Sequence, residues 1–297
     1  MKKIIIIGDE TNLLKTIRKN CVKQSLKFNK YQFSNDNFIY QLGEETPKNV
    51  SIITDLSVNL HDNLWGLFFT LDFLKSKNVN IDKLIFPYFP YSRSNHENEN
   101  YTSGLFSIIS YLNKYNIGEI VTFDPHFEYQ KLPLNHKFII VKQEQIFENI
   151  LSEKLIVNSL IIGPDKGSQQ RIDRLRNKYK LNGFTLNKTR DGHNEKVEIC
   201  VTDLQREIIR NSEYISIFDD EICSGSTLQV SVSKIKEINP TTTIDVFVSH
   251  NFLKDDTNRL FGYINKLYTT NSIHNNLQTK RIEFTDLSTQ IIEEING

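Results

Sequence analysis

Two adjacent carboxylates precede a short polar stretch in the second half of the chain. Asp219 and Asp220 follow an apolar run, Tyr214–Phe218, which predicts a buried strand. The small residues that come next, ahead of a segment with helical spacing, are Ser224, Gly225, Ser226 and Thr227. The N–H groups of such a turn and helix start bind phosphate, and paired carboxylates bind sugar hydroxyls or a divalent cation. The stretch predicts a site for a phosphorylated, hydroxyl-bearing ligand, although a βα loop with a capping hydroxyl and two solvated acids has the same composition.

The elements that would position this site alternate along the whole chain. Short β-rich runs and helical patterns follow one another, which predicts an α/β architecture with mostly parallel sheets. A helical stretch near residue 150 separates two halves with their own strands, so we predict two similar domains, 1–145 and 146–297. The predicted strands are Lys3–Ile7, Val50–Thr54, Lys83–Pro87, Glu119–Phe123, Ser159–Ile162, Tyr214–Phe218 and Thr243–Ser249. The predicted helices are Asn12–Gln24, Asp62–Lys75, Thr102–Tyr115, Glu144–Ile150, Ser168–Tyr179, Thr227–Ile238 and Asp256–Tyr263.

Composition narrows the class of protein. The 297 residues include 36 basic and 36 acidic side chains, so no global field favours nucleic acid or an anionic membrane. No apolar run approaches the roughly 20 residues that span a bilayer, and the apolar core of the N-terminus is too short for a signal peptide. Three cysteines without close pairing indicate a reducing compartment. We expect a soluble cytoplasmic protein without a nucleic-acid or membrane partner.

Several blocks of the sequence resemble one family. Asp219-Asp220-Glu-Ile-Cys-Ser-Gly-Ser-Thr227 resembles the phosphoribosyl-pyrophosphate (PRPP) loop of the type I phosphoribosyltransferase fold, with Cys223 in place of an Asp and Ser226 in place of a Gly. Further blocks in the same order narrow the resemblance to a divergent ribose-phosphate pyrophosphokinase, or PRPP synthetase. The blocks are Phe86-Pro-Tyr-Phe-Pro-Tyr-Ser-Arg93, Val121-Thr-Phe-Asp-Pro-His126, Ile161-Ile-Gly-Pro-Asp-Lys-Gly-Ser-Gln-Gln-Arg171 and Phe184-Thr-Leu-Asn-Lys-Thr-Arg190.

The resemblance implies a fold and a reaction. It implies two similar phosphoribosyltransferase-like domains, each with a mostly parallel sheet flanked by helices, the first on the ATP side and the second binding ribose phosphate. The implied reaction transfers the β,γ-pyrophosphate of ATP to the 1-hydroxyl of ribose 5-phosphate, giving PRPP and AMP. Mg²⁺ is the implied cofactor, ATP and a ribose phosphate are the implied partners, and a homo-oligomer is expected.

The resemblance also assigns roles to residues. Lys188, Arg190 and Arg93 are the expected catalytic cations, and His126 and Asp165 are the expected metal ligands. The residues expected to bind ATP are Phe33, Asn35, Asn37, Arg93, Ser94 and His126. The residues expected to bind ribose phosphate are Asp165, Asp219, Asp220, Cys223, Ser224, Gly225, Ser226 and Thr227. Asn35 and Asn37 replace acids of the family pattern, and Ser94 replaces a Gln.

These departures from the family pattern leave three other functions open. The altered residues Cys223 and Ser226 allow the same chemistry on another ribose, such as ADP-ribose. A nucleobase phosphoribosyltransferase would share the loop but not the segment with Lys188 and Arg190. An inactive regulatory homologue would explain the altered ATP side, whereas the retained cations and acids favour an active enzyme.

Overall fold

The chain forms two compact units in the computed structural model. The structure describes residues 2–43, 45–94, 102–127, 132–155, 159–190, 197–255, 259–277 and 279–297, without the side chains of 189, 190 and 197. The first unit comprises residues 1–142, 271–274 and 286–297, and the second comprises residues 143–270 and 275–285. The end of the chain therefore lies in the first unit, whereas the sequence predicts one continuous domain over 146–297. Polar contacts hold it there, because Lys2 Nζ donates to the Ile295 carbonyl oxygen at 2.9 Å.

The first unit is built on a five-stranded parallel sheet. The strands of the whole unit are β1 (Ile4–Ile7), β2 (Phe28–Gln32), β3 (Phe38–Leu42), β4 (Asn49–Thr54), β5 (Asn80–Phe86), β6 (Ile117–Phe123) and β7 (Lys137–Val141). The helices of the unit include α1 (Asn12–Asn20), α2 (Leu60–Ser76) and α3 (Gly104–Leu112). The sheet order is β1-β4-β5-β6-β7, with every pairing parallel. The four isoleucines of β1 are all buried, as a parallel strand covered on both faces requires.

A hairpin of β2 and β3 stands outside this sheet. The two strands pair antiparallel, and most of their residues are exposed. Tyr40 of β3 stacks on Phe28 of β2 with ring centroids 4.8 Å apart. It also packs on Gly66 of α2, where a Cβ atom would lie 2.8 Å from the Tyr40 ring. One of the contacts between the hairpin and α2, that of Tyr40, is thus permitted only by a glycine at position 66.

The second unit contains a six-stranded sheet. The strands of the whole unit are β8 (Leu160–Gly163), β9 (Asn182–Thr185), β10 (Asn187–Arg190), β11 (Val197–Cys200), β12 (Tyr214–Ile222), β13 (Thr243–Asn251), β14 (Lys266–Thr270) and β15 (Ile282–Thr285). Its helices are α4 (Gln143–Ile146), α5 (Glu148–Lys154), α6 (Gln169–Tyr179), α7 (Asp203–Arg210) and α8 (Ser226–Ile238). The sheet order is β15-β14-β13-β12-β8-β9, again with parallel pairings, and β10 and β11 form a separate antiparallel hairpin. The last helix of the chain, α9 (Ser288–Asn296), belongs to the first unit.

The two units repeat one order of elements. In each, a buried strand and a helix precede an antiparallel hairpin outside the sheet, and the next sheet strand after the hairpin pairs with the first strand. The second unit has one additional sheet strand, β9, between the helix and the hairpin. In the first unit these two sheet strands are β1 and β4, and in the second they are β8 and β12. The predicted α/β class with two similar, mostly parallel units is therefore confirmed.

Several strands and helices differ in length or type from the sequence-based prediction. All seven predicted strands exist, but β12 continues four residues farther, through both acids to Ile222. The predicted helix Glu144–Ile150 is interrupted at Phe147 and becomes α4 and α5. The predicted helix Asp256–Tyr263 is wrong in its described part, which is a 3₁₀ turn over Arg259–Gly262, while residues 256–258 lie outside the described residues. Among the described residues, no helix has the length and apolar character needed to cross a membrane.

Gly163 at the end of β8 provides a test of packing in the second unit. A Cβ atom there would lie 2.8 Å from Thr185 Cγ2 and would also collide with Ser168 Oγ. We expect Gly163→Ala to lower the free energy of unfolding by about 1–3 kcal/mol, the usual cost of overpacking. Gly262→Ala is the matched control, because nothing lies within 4 Å of its Cβ position, and its effect should stay within about 0.5 kcal/mol. Urea denaturation measures both, and equal stabilities for the two variants would contradict this account.

Candidate active site

Asp165 lies in the turn that follows β8. Its Oδ1 accepts a hydrogen bond from the Gly167 N–H at 2.9 Å, and Ser168 Oγ donates to the Asp165 carbonyl oxygen at 2.6 Å. These bonds form a 3₁₀ turn over Lys166–Ser168 that leads directly into α6. The half-buried carboxylate is thus fixed at the carboxyl end of β8, the edge of a parallel sheet where ligands bind in α/β folds.

Asp219 and Asp220 lie on the neighbouring strand, β12. The pKa of Asp219 is raised well above its ordinary value, first by burial and then by the charge of Asp220 and a hydrogen bond with it. The charge of Asp165 acts in the same direction, while the positive charge of Arg171 opposes the rise. The strand β12 therefore carries two interacting carboxyl groups. A third acid and one cation lie close enough to change the pKa of Asp219.

The small residues after β12 form the predicted turn, which we call the polar turn (224–227). Gly225 adopts a left-handed conformation with φ of 73° and caps α8, which begins at Ser226, one residue before the predicted start. Ser224 Oγ lies 3.1 Å from Ser226 Oγ. The first N–H groups of a helix have no intrahelical acceptor, and they carry the positive end of the helix dipole. This geometry suits an anion at the start of α8.

Lys188 reaches this helix start from the β10–β11 hairpin. Its Nζ donates a hydrogen bond to Thr227 Oγ1 at 2.9 Å. Ile199, which pairs with Lys188 across the hairpin, is buried in the core of the second unit and holds the hairpin in register. Arg190 ends the same strand, but its side chain lies outside the described residues, so its role remains a prediction. Cys223 is exposed, with its Sγ 3.6 Å from Glu221 Oε1.

Gln143 supports the acids and was missed by the sequence analysis. Its side chain is fully buried at the start of α4. Its Nε2 donates to the Asp219 carbonyl oxygen at 2.7 Å and to Ser249 Oγ at 3.2 Å, joining the ends of β12 and β13. No local sequence signal predicts this contact, because the residues are 76 and 106 positions apart.

The first unit carries the residues predicted to bind ATP. Phe33, Asn35 and Asn37 lie at the tip of the β2–β3 hairpin, and all three are exposed. The Phe33 N–H donates to the Asn37 carbonyl oxygen at 2.7 Å, and Asn35 Oδ1 accepts from the Asn37 N–H at 3.3 Å. The tip therefore presents the Phe33 ring, 51% exposed, on a turn braced by an asparagine where the family pattern has an acid.

Arg93, Ser94 and His126 follow two neighbouring strands of the first unit, β5 and β6. The segments that carry them contact each other through Phe89 and Phe127, whose ring centroids are 5.3 Å apart. Ser94 Oγ accepts from the N–H of Gly104 at 2.9 Å, which ties Ser94 to the start of α3. Arg93 and His126 are exposed. The carboxyl ends of adjacent parallel strands meet at one edge, so this edge carries both Arg93 and His126.

The predicted metal ligands belong to different units, His126 to the first and Asp165 to the second. Among the side chains that the structure describes, no group of three or more His, Cys, Asp or Glu is arranged to bind a metal ion. Mg²⁺ commonly takes only one or two protein carboxylates, together with water and substrate phosphates. The oxygen donors of Asp165, Asp219 and Asp220 fit that chemistry.

The structure thus brings the residues predicted to bind ribose phosphate together at one sheet edge of the second unit, with Lys188 beside them. The order of elements has a known counterpart. The phosphoribosylpyrophosphate synthetase of Mycobacterium smegmatis has a similar structure, with a TM-score of 0.82 at 15% sequence identity, covering 99% of this chain and 98% of that one. The chain therefore has the two-domain phosphoribosyltransferase-like fold of that protein.

Sequence comparison finds relatives with one shared description. The N-terminal domain of ribose phosphate pyrophosphokinase matches residues 2–115. The ribose-phosphate pyrophosphokinase of Sulfolobus acidocaldarius is 25% identical over 301 residues, which cover 98% of this chain and 100% of that protein. The ribose-phosphate pyrophosphokinase of Mycoplasma genitalium is 25% identical over 260 residues, which cover 84% of this chain and 76% of that protein. The chain thus resembles ribose-phosphate pyrophosphokinases, which are enzymes, over nearly its whole length at low identity.

The raised pKa of Asp219 predicts a pH dependence of stability. Between about pH 4, where an ordinary aspartate titrates, and the raised pKa, the folded protein holds a proton that the unfolded chain has lost. Stability should therefore fall as pH rises through this window. Asp219→Asn should remove the fall, so the variant gains stability over the wild type at neutral pH and loses this advantage below about pH 4.

Denaturation midpoints measured across this pH range test the prediction. Asp173→Asn is the control, because Asp173 lies on an exposed face of α6 with its side chain 50% exposed. If Asp219→Asn and Asp173→Asn follow the same pH profile, Asp219 is not the group responsible.

Proposed function

We propose that this protein transfers the β,γ-pyrophosphoryl group of ATP to the 1-hydroxyl of ribose 5-phosphate, giving PRPP and AMP. The observation that carries the proposal is the contact of Lys188 Nζ with Thr227 Oγ1, at 2.9 Å in the first turn of α8. A lysine at a helix start is unfavourable for the helix, because the positive end of the dipole repels it. Two positive features directed at one place are expected where an anion binds.

The reaction requires few covalent steps from the protein. The oxygen of the ribose 1-hydroxyl attacks the β-phosphorus in line, while the bond from that phosphorus to the oxygen shared with the α-phosphorus breaks. AMP leaves with this oxygen, and the attacking hydroxyl loses its proton. Catalysis then consists of positioning the reactants and neutralising charge on the transferred group. Lys188 and Arg190 are proposed to stabilise that charge, and Arg93 is proposed to bind the ATP phosphates in the bidentate manner of a guanidinium group.

The second unit supplies the acceptor site in this proposal. The carboxyl groups of Asp219 and Asp220 accept hydrogen bonds from the ribose 2- and 3-hydroxyls, and Asp165 supports the sugar or a metal ion. The N–H groups of the polar turn and the start of α8 bind the 5-phosphate. The paired acids make this assignment specific, because a carboxylate pair attracts hydroxyl donors and repels phosphate.

Mg²⁺ is the proposed cofactor. It would be held by Asp165, with His126 as the proposed contact on the ATP side, and when bound it would neutralise phosphate charge. The hairpin tip of the first unit, with Phe33, Asn35 and Asn37, is proposed to contact the adenine, and Ser94 and His126 are proposed to contact the nucleotide. We also propose that the active protein is a homo-oligomer.

A second acceptor is favoured by one observation. Cys223 is exposed beside the polar turn, where the family pattern has an Asp. Without that negative charge, a larger or more anionic substituent on the ribose 5-position meets less repulsion. ADP-ribose is therefore the second candidate acceptor.

Product analysis tests the reaction itself. The protein is incubated with ATP and Mg²⁺ and with either ribose 5-phosphate or ADP-ribose, and the products are identified by mass spectrometry. We expect AMP and a pyrophosphorylated ribose, with ribose 5-phosphate preferred and with Cys223→Asp increasing that preference. Absence of AMP with both acceptors would overturn the proposal and would favour an inactive regulatory homologue.

Replacement of Lys188 tests the assigned charge stabilisation. Lys188→Ala should lower kcat at least about a hundredfold, the scale for losing one preorganised donor, while the folded state remains intact because the side chain is only half-buried. Lys234→Ala is the matched control, since Lys234 is a half-buried lysine of α8 that pairs with Glu237 at 2.9 Å. A kcat near that of the wild type for Lys188→Ala would remove this residue from the mechanism.

Replacement of the acids tests which substrate they bind. Asp219→Asn and Asp220→Asn should each weaken binding of the ribose acceptor by about tenfold or more, since a hydrogen bond to a charged group contributes roughly 1.5–3 kcal/mol. Binding of ATP should change little, and Asp173→Asn should change neither. Titration calorimetry with each substrate separates these effects. Equal weakening of ATP and acceptor would mean that the acids are assigned to the wrong substrate.

A further inference from the structure

The two polar residues that begin α4 are buried inside the second unit. Gln143 is 0% exposed and Glu144 is 8% exposed. Glutamine and glutamate usually lie on the surface, because a polar side chain that leaves water must find hydrogen-bond partners inside the protein. The helix α4 is four residues long, which is too short to be stable by itself. The partners of these two side chains therefore indicate what the helix does.

Gln143 joins the carboxyl ends of β12 and β13. Its Nε2 donates to the Asp219 carbonyl oxygen at 2.7 Å and to Ser249 Oγ at 3.2 Å, and the Phe247 carbonyl oxygen lies 3.4 Å away. Asp219 pairs with Val248 in the register of the two strands, so the amide group bridges the strands at the level of Asp219. The amide group thereby fixes, from outside the strand, the backbone that carries this acid.

Glu144 joins α4 to α6. Its Oε1 accepts a hydrogen bond from Arg174 Nε at 2.7 Å, and the two groups form an ion pair. Glu144 is buried and Arg174 is half-buried, so water and salt screen this pair less than a pair on the surface. The helix α6 begins directly after the turn that contains Asp165, and it also carries Arg171. Glu144 therefore holds the helix that positions the third acid and the cation of the site.

We propose that Gln143 and Glu144 are the positioning residues of the acceptor site, an inference that rests on the proposed function. Gln143 holds the acids of β12 and Glu144 holds Asp165 through α6, so that these carboxyl groups meet the ribose hydroxyls in a single geometry. Both residues act through others, and catalysis is sensitive to such support because a misplacement of about 1 Å can cost roughly a hundredfold in rate. Loss of this support should affect the acceptor and not ATP, whose proposed binding residues belong to the first unit.

Replacement of Gln143 tests the support of Asp219. Gln143→Met removes the N–H donor and keeps a side chain of similar length. The KM of ribose 5-phosphate should therefore rise about tenfold or more, while the KM of ATP should stay near that of the wild type.

Asn239→Leu is the matched control for Gln143→Met. Asn239 is a buried amide at the opposite end of α8 from the polar turn. Its Nδ2 donates to the carbonyl oxygens of Ile209, Arg210 and Ser212. Both variants thus remove a buried amide that bonds to several carbonyl oxygens, and only one of these amides lies beside the acids. Asn239→Leu should lower stability without changing either KM.

A pH profile separates a donor role of Gln143 from simple packing. Gln143→Glu keeps the size and shape of the side chain, but only the protonated carboxyl group has an O–H that can donate to the Asp219 carbonyl oxygen. The donor is present below the pKa of the new carboxyl group and is lost as pH rises through it. We therefore expect the acceptor dissociation constant, divided by that of the wild type at the same pH, to fall as the solution is acidified. A ratio that does not change with pH would overturn the donor role.

Replacement of Glu144 tests the support of α6. Glu144→Gln keeps an oxygen that accepts from Arg174 Nε and should leave the acceptor KM near that of the wild type, whereas Glu144→Met should raise it about tenfold. Glu148→Met is the control, because Glu148 pairs with Lys178 of α6 at 2.8 Å but is exposed. Equal effects of Glu144→Met and Glu148→Met would overturn the role of Glu144.

One readout does not depend on the proposed activity. The carboxyl carbon resonance of Asp219, followed by NMR in the free protein, reports the titration of this acid. Gln143→Met should move the pKa of Asp219 toward its ordinary value, because a loosened strand end admits water to the carboxyl group. Asn239→Leu should leave this titration unchanged.

The two proposals can therefore fail separately. A wild type that forms no AMP overturns the proposed function, and the titration of Asp219 then decides whether Gln143 positions the acid. A titration that Gln143→Met does not change, or an acceptor KM that rises no more than the KM of ATP, overturns the positioning role. If Gln143→Met does not fold, the pH profile of Gln143→Glu decides between the same outcomes.

Discussion

The pairing of half-buried Asp219 with buried Asp220 is the constraint on which the site of the second unit depends. Removing two adjacent carboxyl groups from water is unfavourable when both are charged, and the raised pKa of Asp219 records that cost. The charge of Arg171 offsets part of it, and Gln143 fixes the backbone on which Asp219 stands. In the proposed reaction, the ribose hydroxyls or a bound cation offset the remainder, so the site is most favourable when it is occupied.

The first unit also carries acids after the corresponding strands, and they bond to other side chains of that unit. Asp9 follows β1 and accepts a hydrogen bond from Asn63 Nδ2 at 2.7 Å. Asp55 follows β4 and accepts from Thr11 Oγ1 at 2.7 Å. These strands correspond in order to β8 and β12, yet their acids bond to side chains of α2 and of the residue before α1. Equivalent edges of two similar folds can therefore carry different functions, and the side chains decide which edge is suited to a sugar.

A feature that departs from ordinary local preferences coincides with the proposed function. Lys188 lies at the positive end of a helix. This placement is unfavourable in the isolated chain and becomes favourable in the proposed complex, where an anion binds beside it. Natural proteins retain such conflicts mainly where a ligand or another chain resolves them.

Much of the sheet scaffold could be predicted from sequence because it depends on short-range patterns. Apolar runs such as Ile4–Ile7 and Tyr214–Phe218 specify buried parallel strands through burial on both faces. The succession of paired acids, polar turn and helix, from Asp219 to Thr227, also follows from residue types alone. The short strands β9 and β14 were missed, because four or five residues of mixed polarity carry little periodic signal. The capped helix α7, with Thr202 and Gln205 in reciprocal hydrogen bonds, carried a readable start signal that was overlooked.

Only the tertiary structure decided which distant side chains meet. It brought Gln143 to the Asp219 backbone and Lys188 to Thr227, and it returned the end of the chain to the first unit. It also left Trp65, Phe69 and Phe73 exposed on a helix whose spacing is equally compatible with burial. Local sequence determines what a segment can form, because propensity and capping act over a few residues. Contacts between distant segments depend on how complete sheets and helices pack, and no single stretch of this sequence contains that information.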